Sequence, residues 1–167
     1  MRRACILRSS SACGTTARSC STGRSDTVGA TGPTIQPFGY LEQVTFGHVG
    51  KPFLVYSQRT KAPDDGRPLH AETGYLRMPA PDRVELVLAH PTGITEIQEG
   101  TLSSTGTTLV LELTATAIGR TSSAKEVSAL SRSFRLDGDE LTYTMRMGAV
   151  GQPLQHHLAA TLHRKPS

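Results

Sequence analysis

Tryptophan is absent from this chain, and tyrosine and phenylalanine supply only 4 residues each. With 37% hydrophobic residues, 5% aromatics, 16 Gly and 10 Pro, the composition suits a small β-rich domain better than a helical bundle. Cysteine is missing from the whole body. Cys5, Cys13 and Cys20 all lie in the first 32 residues, with spacing that makes neither a disulfide framework nor a zinc site. No apolar run approaches the roughly 20 residues of a membrane helix, so no membrane partner is expected. Charge of one sign is lacking too: the net +4 arises in residues 1–32, whereas 13 basic and 13 acidic residues from Pro33 onward leave the body neutral. A polyanion needs a basic face on the folded part, so DNA and RNA are excluded as partners.

What remains is 167 residues, enough for one domain with a real core but not for two. Residues 1–32 form an Arg- and Ser-rich leader in which Asp26 is the one acid. A transit peptide, a disordered polar tail and a mis-specified start all have this composition. Arg outnumbers Lys 14 to 4 along the chain, which suggests GC-rich coding and favours the tail or the mis-specified start, with a cytoplasmic domain at 33–167.

From Pro33 the pattern is a succession of short strands. Pro37–Gly47 and Pro52–Arg59 are joined at Gly50-Lys51, and residues 60–67 form a loop because Pro63 and Asp65-Gly66 impose turn dihedrals. Strands follow at Pro68–Met78, Val84–His90 and Ile94–Gln98, with Ser103–Gly106 read as a connection and Ser122–Val127 as a helical turn. Leu109, Leu111 and Leu113 alternate with Val110, Glu112 and Thr114 and mark a half-buried strand of purely core character. Val127–Leu136 and Leu141–Met147 are linked by Asp137-Gly138-Asp139-Glu140, a hairpin signal, and Leu141, Tyr143, Met145 and Met147 share one face. About nine strands with short turns predict an all-β, antiparallel up-and-down barrel of the lipocalin or fatty-acid-binding type, since closure removes exposed edges. A barrel of that size encloses a site for something small.

The final strand holds the residue that suggests what. In Gln155–Leu162, alternation that groups Leu158, Ala160 and Leu162 on one face groups His157, Ala159 and Thr161 on the other. One imidazole beside two small residues leaves room for a planar guest. His48 and His163 read as solvent-facing.

These segments resemble the nitrobindin family of haem-binding barrels of about ten strands. The resemblance rests on Pro33–Phe38, Tyr40-Leu41-Glu42, Val44–Gly50, Pro68–Arg77 and Gln152–Leu158, and spans residues 33–165. It implies one haem b per chain, an isomerase activity converting peroxynitrite to nitrate at ferric haem, and binding of nitric oxide. By position, His157 corresponds to the axial iron ligand, with His156 on the opposite face. Thr34 and Lys125 match haem contacts, and Leu69, His70, His90 and Met147 match residues lining the cavity. The implied partners are small molecules, with the chain a monomer or homodimer. A single protein ligand leaves an iron position open, and no protein acid or base is required.

The chain departs from the family at the start. Nitrobindins carry Gly-x-Trp-x-Gly-x-Gly on the first strand, but here the stretch reads Thr22-Gly23-Arg24-Ser25-Asp26-Thr27-Val28-Gly29. This departure implies that the first strand and its buried indole are lost. Two other readings use the same barrel: a haem-free carrier of a fatty acid or other apolar molecule, and a defunct or interaction-only barrel.

Overall fold

Period-two alternation of apolar and polar side chains turns nearly every hydrophobic segment of this chain into a strand. The computed structural model describes residues 39–164 and, as backbone, Gly23–Arg24. One antiparallel sheet holds all ten strands in chain order: β1 Gly23–Arg24, β2 Leu41–His48, β3 Phe53–Lys61, β4 Pro68–Ala80 and β5 Arg83–Ala89. It continues with β6 Ile94–Thr105, β7 Thr108–Arg120, β8 Val127–Asp137, β9 Glu140–Ala149 and β10 Gln155–His163. No helix occurs among the described residues. β1 pairs with Leu41 and Glu42 of β2 and lies beside β10, so the sheet curls almost fully round.

The up-and-down barrel is therefore as expected, with three local corrections. A first strand is present at Gly23–Arg24 rather than lost, because ladder pairing uses backbone groups and needs no indole. β6 continues through Ser103 and Ser104 to Thr105, and the chain turns only at Gly106, whose φ of 60° suits a tight hairpin. Residues 121–126 form a non-helical turn in place of the expected helical one. Thr34, and the leader with its boundary at 33, lie outside the described residues, β1 excepted.

Two ends of the barrel differ. Tight connections at Pro81-Asp82, Gly106-Thr107 and Gly138-Asp139 close one end, over a core that includes Val44, Leu54, Leu76, Leu86, Phe134 and Leu162. Longer connections at 62–67, 90–93, 121–126 and 150–154 surround the other, the mouth. Four register shifts also fall at the mouth, leaving Leu69, Thr116, Ser128 and His157 as extra residues opposite unbroken partners. Such bulges collect at barrel rims and re-aim side chains there.

The sheet can curl this tightly because Gly74 and Gly100 let neighbouring backbones approach. A Cβ on Gly100 would lie 1.7 Å from the carbonyl oxygen of Glu112, and one on Gly74 1.8 Å from that of Val87. Neither oxygen can move without breaking its strand. Gly100→Ala is expected to destabilise the fold by about 1–3 kcal/mol, the usual cost of overpacking. A urea unfolding midpoint unchanged from the parent chain would contradict this.

Candidate functional site

Between the apolar core and the mouth, the interior is crossed by a belt of polar side chains. Glu42, Gln58, Glu72, Glu96, Gln98 and Arg132 are all buried. Each occupies an inward position of its strand, in phase with apolar neighbours such as Val44, Tyr56, Leu76 or Phe134. Tyr56 and Tyr143 bridge the two zones, their rings in the core and their hydroxyls in the belt.

Arg132 of β8 reaches across the barrel to Glu72 of β4. Its two terminal nitrogens donate to the two carboxylate oxygens at 2.6 and 2.9 Å, a bidentate pair, and one lies 3.4 Å from Glu96 Oε1. Tyr56 Oη donates to Glu72 Oε1 at 2.8 Å. Burial alone would raise the Glu72 carboxyl. The guanidinium of Arg132 and hydrogen bonding from His70 outweigh burial and hold it well below the usual carboxylate range. Glu96 behaves likewise: burial pushes it up, but His90 and Arg132 bring it down. Burial would lower the Arg132 guanidinium, yet Glu72 and Glu96 keep it firmly protonated.

Glu42 has no such cation beside it. Tyr143 Oη donates to its two oxygens at 3.0 and 2.9 Å, and Gln58 Nε2 donates to Oε1. Burial nevertheless raises the carboxyl from 4.5 to about 7. Burial and the Glu42 charge together push the hydroxyl of Tyr40 up to about 12. Tyr40 Oη also donates to the carbonyl of Ala159 at 3.1 Å, tying the start of the described chain to β10.

On the mouth side of the belt, His70 and His90 meet. Their rings are 5.4 Å apart, and His90 Nδ1 lies 3.4 Å from His70 Nε2. The same two atoms stand 3.6 and 3.7 Å from Glu72 Oε2. His90 Nε2 sits 2.7 Å from Glu96 Oε1.

A second apolar cluster lies at the mouth itself. Val127, Leu130 and Met145 are buried there, with Met147, Ile94, Ile118 and Leu158 packed against them. β10 runs past this cluster, pairing His156 with Arg146 and Leu158 with Met145, so that His157 is the residue the bulge inserts. The expected face grouping is thereby corrected. Ala160 and Leu162 face the core with Leu158, leaving Ala159 and Thr161 on the outward side, and the bulge frees His157 from simple alternation. His157 is half-buried, whereas His156, His48 and His163 are exposed.

Of the other residues singled out from the sequence, Met147 lies in the mouth cluster and Lys125 is exposed on the 121–126 connection at the same end. Leu69, the extra residue of the β4 bulge, is half-buried beside His70. Thr34 falls outside the described residues. The sequence reading missed the belt altogether. Its signal was a charged or amide residue at an inward position of an otherwise apolar strand face, as at Glu72 and Arg132.

Two stability tests follow from the belt. The folded chain keeps the Glu42 proton that the unfolded chain releases above 4.5, so this group's contribution is complete below that pH and is lost as pH rises through about 7. Glu42→Gln, which cannot ionise, should therefore gain on the parent chain between pH 5 and pH 8, by about 3 kcal/mol at most. Equal differences at both pH values in urea unfolding would refute it. Arg132→Met should cost about 3–5 kcal/mol by stranding the Glu72 charge, and adding Glu72→Met should recover much of the loss. Additive losses in the double variant would contradict the pairing.

Comparison with known proteins gives a consistent picture. The model of the THAP4-like, heme-binding beta-barrel domain family matches residues 22–164. The chain is 67% identical over 133 residues to the protein named peroxynitrite isomerase 1 of Mycolicibacterium paratuberculosis, covering 80% of this chain and 83% of that one. It is 68% identical over 133 residues, with the same coverage, to peroxynitrite isomerase 2 of Mycobacterium ulcerans. The crystal structure of Rv2717c from M. tuberculosis superposes with a TM-score of 0.80 at 61% identity, covering 82% of this chain and 87% of that chain. On the agreement of strand order, barrel and match across residues 22–164, this chain belongs to the THAP4-like, heme-binding beta-barrel domain family.

Proposed function

We propose that this chain is a haem-dependent peroxynitrite isomerase that also binds nitric oxide, holding one haem b per chain with His157 as the axial ligand. The observation that carries the reading is the placement of His157. It is the extra residue of a bulge at the barrel mouth, on the strand paired with Met145 and Met147 of the apolar cluster. Imidazole nitrogen is a good iron ligand, and a thioether-containing apolar wall suits the face of a macrocycle. Lys125, exposed on the adjoining connection, is positioned to pair with a propionate at the rim. Thr34 is assigned to the porphyrin edge from the family resemblance alone. Leu69, His70 and His90 sit on the same end of the barrel and line the approach.

Bound haem supplies the redox-active iron for the rearrangement of peroxynitrite. Nitrate has the same atoms and charge as peroxynitrite, so the residues need neither deliver a co-substrate nor consume a proton. Their task is to hold the macrocycle with one side open and to keep bulk water from its buried face. The apolar cluster at the mouth would do the second of these. Relatives that carry the name peroxynitrite isomerase at 64–68% identity support the choice of reaction.

Hemin titration of the purified chain and of His157→Ala, followed in the Soret region, tests the reading. Saturable one-to-one binding that the substitution weakens at least about tenfold, or about 1.4 kcal/mol, is expected. Equal binding by both proteins would remove His157 as ligand, and no binding by either would favour a carrier of apolar molecules instead.

A further inference from the structure

His70, Glu72 and His90 converge at spacings longer than ordinary hydrogen bonds. The three nearest polar atoms, His70 Nε2, His90 Nδ1 and Glu72 Oε2, form a triangle with sides of 3.4, 3.6 and 3.7 Å. Hydrogen bonds in proteins usually span about 2.7–3.2 Å, so every side of this triangle is too long for a good one. A tetrahedral zinc ion with bonds of about 2.0–2.2 Å holds neighbouring ligand atoms about 3.3–3.6 Å apart. The observed sides match that spacing closely.

The surroundings prepare each donor. Two acceptors cannot stand 2.7 Å apart without a proton between them, so the approach of Glu96 Oε1 to His90 Nε2 places the proton on Nε2 and the lone pair on Nδ1, toward the triangle. A carboxylate behind a ligating imidazole is a recurrent second partner in metal centres. Arg132 and Tyr56 hold the Glu72 carboxylate in place, leaving Oε2 turned to both imidazoles. Charge points the same way. Two buried carboxylates, Glu72 and Glu96, face the single guanidinium of Arg132, and a cation would offset the remainder. The His70 side chain is 35% exposed and leaves a path from solvent, whereas that of His90 is 7% exposed.

We propose that His70, Glu72 and His90 form a binding site for a divalent transition-metal ion of the zinc class, distinct from the haem ligand His157. Two imidazoles and one carboxylate leave at least one coordination position open to a small ligand. The donors come from β4 and from the residue that follows β5, adjacent strands held in register from Thr73–Ala89 to Arg77–Glu85, so the triangle is anchored to the sheet.

Titration of the untagged, haem-free chain with Co²⁺ tests the site, because the ligand-field absorption of Co²⁺ reports its coordination. Saturable one-to-one binding with the intense visible bands of a four- or five-coordinate ion is expected, displaced by Zn²⁺. His70→Ala, at the partly exposed corner, should weaken binding at least tenfold, and His90→Gln should do the same. His156→Ala, at an exposed position, should not. Absence of saturable binding in the parent chain, or undiminished affinity in both His70→Ala and His90→Gln, would overturn the proposal. Co²⁺ titration of His157→Ala separates this result from the haem assignment: undiminished Co²⁺ binding in that variant speaks to the triangle alone.

Discussion

The Arg132–Glu72 pair spans the barrel interior and sets the geometry of what lies on either side. A bidentate guanidinium–carboxylate contact buried among strands costs much desolvation and is repaid only when both groups are held in place. Here they are held by Tyr56, Glu96 and the register of β3, β4, β7 and β8. Toward the tight turns, the pair caps an apolar core. Toward the mouth, it presents a fixed Glu72 carboxylate to two histidines. The pair adds orientation more than stability, since a charge so placed cannot move without breaking several hydrogen bonds at once.

The sheet is irregular at the mouth. Four bulges, at Leu69, Thr116, Ser128 and His157, interrupt the ladders at that end. Regular alternation would group His157 with Ala159 and Thr161; the inserted residue removes His157 from that simple rule. The apolar cluster of Leu130, Met145 and Met147 then supplies a wall beside it. The opposite end has two- to four-residue connections, a filled core and one register shift, between Arg77 and Ala80.

Most strands were legible in the chain. Leu109-Leu111-Leu113 and Leu141-Tyr143-Met145-Met147 alternate so cleanly that only a half-buried sheet satisfies them, and Asp-Gly dipeptides mark where the chain turns. The errors lie where pattern and backbone part. Ser103-Ser104 reads as a loop because polar residues look alike in a loop and in an exposed ladder, yet β6 carries them to Thr105. Likewise His70 and His90 could be named as interior residues, but nothing in a linear reading brings them to 3.4 Å from one another. They are twenty positions apart on neighbouring strands.

By itself, the sequence determined the class of fold and the closure into a barrel. These depend on local alternation, turn chemistry and composition, all of which act over a few residues. Only the tertiary structure decided which polar residues are buried together. Glu42 finds Tyr143 across 101 positions, and Arg132 finds Glu72 across 60. Strand register, which adds up along the whole sheet, fixes those meetings, and a one-residue slip in any ladder would turn the belt outward.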